Sequence, residues 1–167
     1  MEILSHTLNE LESDLQKVGE CLRVVLHSIL FQRELGLVKP QQIRSSLGLS
    51  YYTLDDFVAN NAIEQFLQDF EKQLVSGNSY IVKLSFYKSS KSKAFLVEQN
   101  KKLLWEQWEI PLNLFEETHN TEELAEALRD CIVDIVRVVD QSRNSIPFID
   151  NFQELITFPF ELSYETN

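Results

Sequence analysis

The amino-acid sequence predicts an α+β domain in which three helices pack against one face of a mainly antiparallel β-sheet. Three segments carry apolar residues at the three- and four-residue spacing of amphipathic helices. The segments around them alternate apolar and polar side chains, as half-buried strands do. The resulting order, β-α-(β)-α-β-β-α-β, is typical of α+β folds. Since the chain has 167 residues, we expect one domain over residues 1–167.

Composition narrows the class of function. The chain has 15 Lys and Arg residues against 26 Asp and Glu residues, which gives a net charge of −11. This acidity argues against nucleic acid as the main partner, because phosphate binding needs a basic face. The sequence shows neither the basic start of a signal peptide nor an apolar run that could span a membrane. We therefore expect a cytoplasmic protein.

The first half of the chain predicts a strand, a helix, one or two short strands and a second helix. Residues 2–11 favour a strand, with a helical extension as the alternative. Ser13 and Gln16 have the spacing of a capping box, and Gly36 and Pro40 follow the helix that it opens. The apolar face of this helix comprises Leu15, Val18, Leu22, Val25, Leu26, Ile29 and Leu30.

Residues 37–54 predict one or two short edge strands, the later one near Leu49–Leu54. A second helix is predicted over about Asp55–Val75. Its inward stripe comprises Ile63, Phe66, Leu67, Phe70 and Leu74.

A hairpin-like stretch from Ser79 to Ile110 is the most informative part of the sequence. Two alternating strands flank a predicted loop at about Ser89–Lys101, which is long for a hairpin. If the return strand is regular, Leu103 and Trp105 share one face. Leu104, Trp108 and Ile110 then lie on the other.

The predicted loop combines lysines with an apolar tetrapeptide. Its lysines are Lys88, Lys91, Lys93, Lys101 and Lys102. They indicate either a solvated loop that discourages edge pairing or a contact with an anionic partner or membrane head group. Phe95 and Leu96 either fold back onto the domain or form an exposed anchor for a partner, since buried aromatic anchors carry much of interface energy.

A third helix and a final strand complete the pattern. Asn120 and Glu123 have capping-box spacing. The apolar stripe of this helix is broad enough to predict a helix largely enclosed by the fold: Leu124, Leu128, Cys131, Ile132, Ile135, Val136, Val138 and Val139. The last strand is predicted at about Ile156–Glu165, where Pro159 marks an edge or a bulge.

No grouping of residues in the sequence points to catalysis, a metal or a cofactor. His6, His27 and His119 lack metal-ligand spacing, and there is no phosphate loop or dinucleotide fingerprint. Cys21 and Cys131 lie in apolar helical patterns, which is typical of buried thiols. Cys21 and His27 do not share a helical face well, so a cysteine nucleophile is not favoured. An uncharacterised small hydrolase is the less favoured alternative.

Four motifs resemble the autophagy-related protein 101 family. They are VVLHSILFQRELG (Val24–Gly36), VKLSFYKSSKSK (Val82–Lys93), LWEQWEI (Leu104–Ile110) and CIVDIVRVVDQ (Cys131–Gln141). They recur in family order across about residues 15–165. The resemblance implies a HORMA-like domain and a non-enzymatic subunit of the autophagy-initiation kinase complex. It also implies a partner, since members of this family pair with the HORMA domain of autophagy-related protein 13 and stabilise it.

The resemblance also implies two functional surfaces and a location. One surface is a finger loop that recruits downstream factors and matches Ser92–Leu96. Ala94 stands where the family has Trp, so Phe95 and Leu96 are the candidate recruiting residues. By analogy with other HORMA dimers, the partner interface includes Arg129, Asp130 and Arg137. The location is the cytoplasm, with recruitment to the preautophagosomal structure.

A peptide-clamping HORMA adaptor of the checkpoint or meiotic kind is the alternative within the same fold. Such a clamp needs a long mobile C-terminal segment that can refold around a peptide. At about 3.3 Å per extended residue, the residues after the third helix can close a sheet but scarcely embrace a peptide as well. We therefore expect a single, open-type conformation.

Overall fold

The computed structural model describes residues 2–34, 39–94, 97–116, 120–147 and 159–167, with the backbone alone for 89–94 and 97–100. Three helices and a mixed, mostly antiparallel sheet confirm the predicted α+β class. The elements are β1 (Leu4–Thr7), β2 (Leu11–Asp14), α1 (Val18–Gln32), β3 (Pro40–Arg44), β4 (Ser50–Leu54), α2 (Phe57–Glu71), β5 (Ser79–Ala94), β6 (Val97–Phe115), α3 (Thr121–Gln141), a 3-10 turn (Arg143–Ser145) and β7 (Phe160–Thr166).

The main sheet is built around β6. Its order is β1-β6-β5-β7, and β2 pairs with β6 along the same edge as β1. The strands β5 and β7 are antiparallel to their neighbours, whereas β1 and β2 run parallel to β6. The strands β3 and β4 form a separate antiparallel pair, as the short edge strands predicted within residues 37–54.

The strand predicted over residues 2–11 is present at Leu4–Thr7, but it is not continuous. The N-terminal segment pairs as β1, breaks, and pairs again as β2 with a one-residue shift, from Thr7 opposite Glu109 to Leu11 opposite Leu112. The break lies beside Pro111, which has no N–H to donate to a neighbouring strand. The missing donor accounts for the interrupted pairing.

A β-bulge changes which residues of β6 are buried. Phe86 pairs with Glu106 and Tyr87 pairs with Leu104, so Trp105 is the extra residue on β6. An extra residue reverses the alternation of faces beyond it. Trp105, Glu106 and Trp108 are therefore all buried, and the regular two-face pattern predicted for this strand is wrong.

The predicted loop at Ser89–Lys101 is also wrong as a loop. The two strands continue pairing along a two-stranded ribbon until Ala94 lies opposite Val97. Residues 89–93 and 98–102 are all polar, so the sequence lacks the apolar alternation that indicates a strand, and its composition resembles that of a loop.

The fold encloses most of α1. Its residues Val18, Cys21, Leu22, Val24, Val25, Leu26 and Ile29 have no exposed surface. Ser13 does not open this helix, because it lies in β2. Instead, one carboxylate oxygen of Asp14 accepts hydrogen bonds from the N–H groups of Gln16 (2.9 Å) and Lys17 (3.0 Å). Leu15 is 44% exposed and does not belong to the apolar face.

The other two helices begin at side-chain caps. Asp56 accepts hydrogen bonds from the N–H groups of Val58 and Ala59 at the start of α2. Asn120 accepts one from Glu122 at the start of α3, as predicted. The prediction that α3 is largely enclosed is wrong: Leu128 and Ile135 are buried, but Val136 is 44% exposed. Only one face of α3 packs on α1.

The last strand, β7, starts later than predicted. It begins at Phe160 and pairs with β5 from Phe86 to Tyr80, while the predicted residues 156–158 lie outside the described ranges. Pro159 immediately precedes β7, and its carbonyl oxygen accepts a hydrogen bond from Tyr87 (2.8 Å). β7 pairs with β5 alone in the described sheet, which agrees with the predicted edge.

A buried ion cluster joins β6 to the C-terminal ends of α1 and α3. Arg33, at the end of α1, donates to the Glu106 carboxylate from Nε (2.7 Å) and Nη2. The same Nη2 donates to Ser142 Oγ (2.8 Å), at the end of α3. His6, on β1, also belongs to this cluster, because its Nε2 lies 2.9 Å from Glu106 Oε1. The side chains of Arg33 and Glu106 are 1% and 0% exposed.

We expect Arg33→Met to destabilise the protein by roughly 3–5 kcal/mol, because Glu106 would remain buried without its cation. Removing both charges, as Arg33→Met with Glu106→Gln, should recover much of this loss, since no unpaired buried charge then remains. Urea unfolding monitored by circular dichroism measures both changes in the free energy of unfolding.

Arg143→Met is the matched control, since Arg143 pairs with Asp140 (2.9 Å) at the exposed surface. Its expected cost is at most about 1 kcal/mol. An Arg33→Met variant as stable as this control would contradict the role given to the buried cluster.

Candidate interaction surface

An apolar groove opens between α1, β4 and α3. The empty space in the groove and at its mouth, including open solvent, is about 480 Å³. The lining residues are Ser28, Phe31 and Gln32 from α1, Ser50, Tyr51 and Tyr52 from β4, and Ile132, Ile135 and Val136 from α3. Two helices and one strand thus meet around one concave surface.

Aromatic contacts hold β4 against α1 at this groove. The rings of Phe31 and Tyr52 stack with centroids 5.7 Å apart. The rings of His27 and Tyr51 lie 6.1 Å apart. Tyr51 is buried, but Tyr52 remains 47% exposed, because successive residues of a strand point to opposite faces. Tyr52 therefore presents aromatic surface to solvent at the groove edge.

A polar network attaches the β3–β4 pair and α2 to α1. Ser45 Oγ, between β3 and β4, donates to Glu20 on α1 (2.7 Å). Arg23 on α1 donates to both carboxylate oxygens of Glu64 on α2, at 2.7 and 3.0 Å. The hydrogen bonds from Arg23 hold the pKa of Glu64 below its usual value. Of these contacts, the one between Ser45 and Glu20 ties the strand pair that includes the groove strand β4 to α1.

The outer face of α3 continues the apolar surface beyond the groove. Val133 is 55% exposed and Val136 is 44% exposed. They lie three residues apart, so both point to the same side of the helix. Exposed apolar residues that continue a concave apolar surface are typical of protein-binding sites.

The three predicted interface residues lie on this same outer face. Arg129 is exposed, and its Nη1 is 4.0 Å from Glu122. Asp130 is also exposed. Arg137 is 62% exposed and pairs with Asp134 at 2.8 Å. Helical spacing of three, four and seven residues places Arg129, Asp130 and Arg137 around Val133 and Val136. Charged residues therefore flank an apolar centre.

The sequence reasoning missed the apolar part of this surface. The apolar periodicity predicts that Val136 is buried, and it gives no role to Tyr52 or Phe31. One signal was present: in the strand pair Tyr51-Tyr52 only one ring can face the core. The predicted recruiting residues Phe95 and Leu96 lie outside the described ranges.

Burial keeps the cysteines and His27 uncharged. It raises the pKa of Cys21 and of Cys131 to about 12. It also lowers the pKa of His27 to about 4. At neutral pH the thiols are protonated and this imidazole is neutral, whereas a cysteine nucleophile needs a thiolate beside a cationic partner. Both cysteines are buried free thiols, as predicted.

The Glu106 cluster is a structural ion pair beneath the surface rather than an open polar site. Burial alone would raise the pKa of the Glu106 carboxyl, but hydrogen bonds from His6 and Arg33 outweigh it and hold that pKa below its usual value. Across the described ranges, no group of three or more His, Cys, Asp and Glu residues is arranged to hold a metal ion. None of the helices in those ranges is long and apolar enough to cross a membrane.

An α+β domain with an open apolar groove, next to charged residues on the outer face of α3, has the features that are typical of a protein-binding domain. The sequence model of the family described as autophagy-related protein 101 matches residues 10–153. Autophagy-related protein 101 of Arabidopsis thaliana is 28% identical over 185 residues, covering 93% of this chain and 84% of the relative. The chain therefore belongs to the autophagy-related protein 101 family and has a role in autophagy. Its three helices and mixed sheet are consistent with the HORMA-like fold of that family.

Proposed function

We propose that this chain is a non-enzymatic scaffold in autophagy initiation that pairs with the HORMA domain of autophagy-related protein 13. Residues 1–167 act as a single HORMA domain and form a heterodimer with it. The pair works within the autophagy-initiation kinase complex in the cytoplasm and is recruited to the preautophagosomal structure. The observation that carries this proposal is the apolar surface that joins the groove to Val133 and Val136.

The geometry of this surface supports binding to a folded partner. Tyr52, Val133 and Val136 are partly exposed apolar side chains on two different elements, and a partner that covers them removes apolar area from water. Such burial contributes about 25 cal/mol per Å². Arg129, Asp130 and Arg137 lie around this centre, where charged residues set orientation and association rate more than affinity.

Stabilisation of the partner follows from mass action. A chain that binds the folded partner but not the unfolded one raises the folded fraction. At a free concentration 100 times the dissociation constant, the gain is about 2.7 kcal/mol. The polar networks of α1 help here, because a surface that is already rigid loses little entropy on binding.

A second proposed activity is recruitment of downstream autophagy factors through residues 89–101. Phe95 and Leu96 are the proposed contacts, and they lie outside the described ranges. The described residues on either side support the proposal, because Ala94 and Val97 pair at the end of the ribbon. A two-stranded ribbon of this kind can carry a recognition segment away from the sheet.

We expect the double variant Val133→Glu/Val136→Glu to weaken binding to the partner HORMA domain at least about 30-fold. Truncation or disruption of a central apolar contact typically costs 2 kcal/mol or more. Isothermal titration calorimetry measures the affinity. The partner's melting temperature, recorded with and without this chain, measures the loss of stabilisation.

Phe57→Glu/Val58→Glu is the matched control for this variant. These residues open α2, are 83% and 77% exposed, and acquire the same two negative charges. The control should bind like the unmodified chain. Equal affinity of both variants and the unmodified chain would refute the assignment of the groove and α3 as the interface.

For the finger, we expect Phe95→Ala/Leu96→Ala to leave partner pairing intact and to reduce autophagic flux. The two substitutions remove the proposed anchor without touching α3 or the groove. Flux in cells that express only the variant is compared with its affinity for the partner. Normal flux in this variant would exclude the recruiting role.

A further inference from the structure

Charge is strongly segregated between the ribbon and the rest of the chain. The ribbon over residues 87–104 holds five of the 15 basic residues and one of the 26 acidic residues. Its net charge is therefore +4. The remaining residues hold 10 basic and 25 acidic side chains, a net charge of −15. An acidic protein thus carries a strongly basic segment on the paired outer parts of β5 and β6.

The ribbon extends beyond the strands that flank it. The pairing of β7 with β5 reaches Phe86, and the pairing of β1 with β6 begins at Glu106. Beyond that point β5 and β6 pair with each other through eight further residue pairs, from Tyr87–Leu104 to Ala94–Val97. At about 3.3 Å per residue, this length is about 26 Å.

The lysines are distributed along the length of the ribbon. Lys102 is held near the base by Glu161, with Nζ 2.7 Å from the carboxylate. Lys101 lies opposite Ser90, about 13 Å beyond Phe86. Lys91 and Lys93 lie about 17 and 23 Å beyond it. At physiological ionic strength charges are screened over about 8 Å, so the outer lysines are two or three screening lengths from the acidic body.

We propose that the ribbon binds the anionic surface of a lipid bilayer through Lys91, Lys93 and Lys101. An anionic bilayer is an extended charged plane, and it repels the rest of the chain, whose net charge is −15. A cationic element that projects from the domain can contact the bilayer while the acidic residues stay at a distance from it. A ribbon of about 26 Å meets that requirement, whereas a short acidic peptide could reach the lysines without it. The described strands end at the uncharged residues Ala94 and Val97, which suits the apolar side of a lipid interface.

This proposal is independent of the pairing surface, because α1, β4 and α3 contribute nothing to the ribbon. A basic residue near an anionic membrane surface contributes about fivefold to binding. Three lysines therefore contribute on the order of 100-fold. The attraction weakens steeply as salt screens it.

Vesicle co-sedimentation of the full chain tests the proposal. The chain should sediment with vesicles of phosphatidylcholine containing phosphatidylserine, but not with phosphatidylcholine alone, and high salt should release it. Lys91→Gln/Lys93→Gln/Lys101→Gln should lower vesicle binding on the order of 100-fold. Lys91→Arg/Lys93→Arg/Lys101→Arg should retain it, since the charge is kept.

The matched control, Lys39→Gln/Lys72→Gln/Arg143→Gln, removes three positive charges from residues outside the ribbon. Both triple variants change the net charge from −11 by the same amount, so the control should not weaken binding. Equal loss in both variants, or no preference of the unmodified chain for anionic vesicles, would overturn the proposal. Binding to soluble poly-glutamate without binding to vesicles would also overturn it, in favour of an acidic protein segment.

Discussion

The buried contact between Arg33 and Glu106 sets the arrangement on which the rest of the structure depends. Glu106 lies in β6, Arg33 ends α1, and Ser142, which Arg33 also contacts, ends α3. An isolated charge in this interior would be costly. The ionised pair is stable here because the Glu106 carboxylate also contacts His6, and because a cation at a helix C-terminus complements the helix dipole. Arg33 thereby links the Glu106 carboxylate on the central strand to the ends of both helices.

The candidate surface follows from that arrangement. Arg33 joins the C-terminal ends of α1 and α3, which are the two helices that line the groove together with β4. The enclosed α1 forms the floor, while α3 has a buried face and an exposed one. The exposed face combines apolar and charged residues. Because the buried face of α3 packs on α1, its exposed face is well positioned for pairing with another folded domain.

The ribbon has a different physical basis. Beyond the bulge at Trp105 it has no neighbouring strand among the described residues, so its stability comes from the antiparallel pairing of β5 with β6. Its sequence is therefore free to carry lysines and serines. The groove depends on the packed core, but the ribbon does not, and the two surfaces can be altered separately.

The sequence was sufficient for the fold class, the three helices and the family, because apolar periodicity is local and the four motifs occur in order. It was not sufficient for features that depend on neighbouring elements. Both α1 and α3 have broad apolar stripes, and only tertiary packing decides that α1 is enclosed and that Val136 of α3 is exposed. The break at Pro111 and the bulge at Trp105 likewise depend on strand pairing.

The same limit applies to the candidate site. Arg129, Asp130 and Arg137 were placed by analogy with other HORMA dimers, and they do lie together on α3. The groove itself was not predictable, because its lining comes from three elements that are distant in sequence. The burial of Glu106 was not predictable either, because a carboxylate in an alternating strand normally faces solvent.

Hydroxyl-radical footprinting of the tyrosine side chains tests the central claim most directly. Tyr52 at the groove and Tyr164 on β7 are 47% and 39% exposed, so each serves as a reference for the other. When the HORMA domain of autophagy-related protein 13 is added, oxidation of Tyr52 should fall while that of Tyr164 stays constant. Unchanged oxidation of Tyr52, or protection of Tyr164 in its place, would contradict the account.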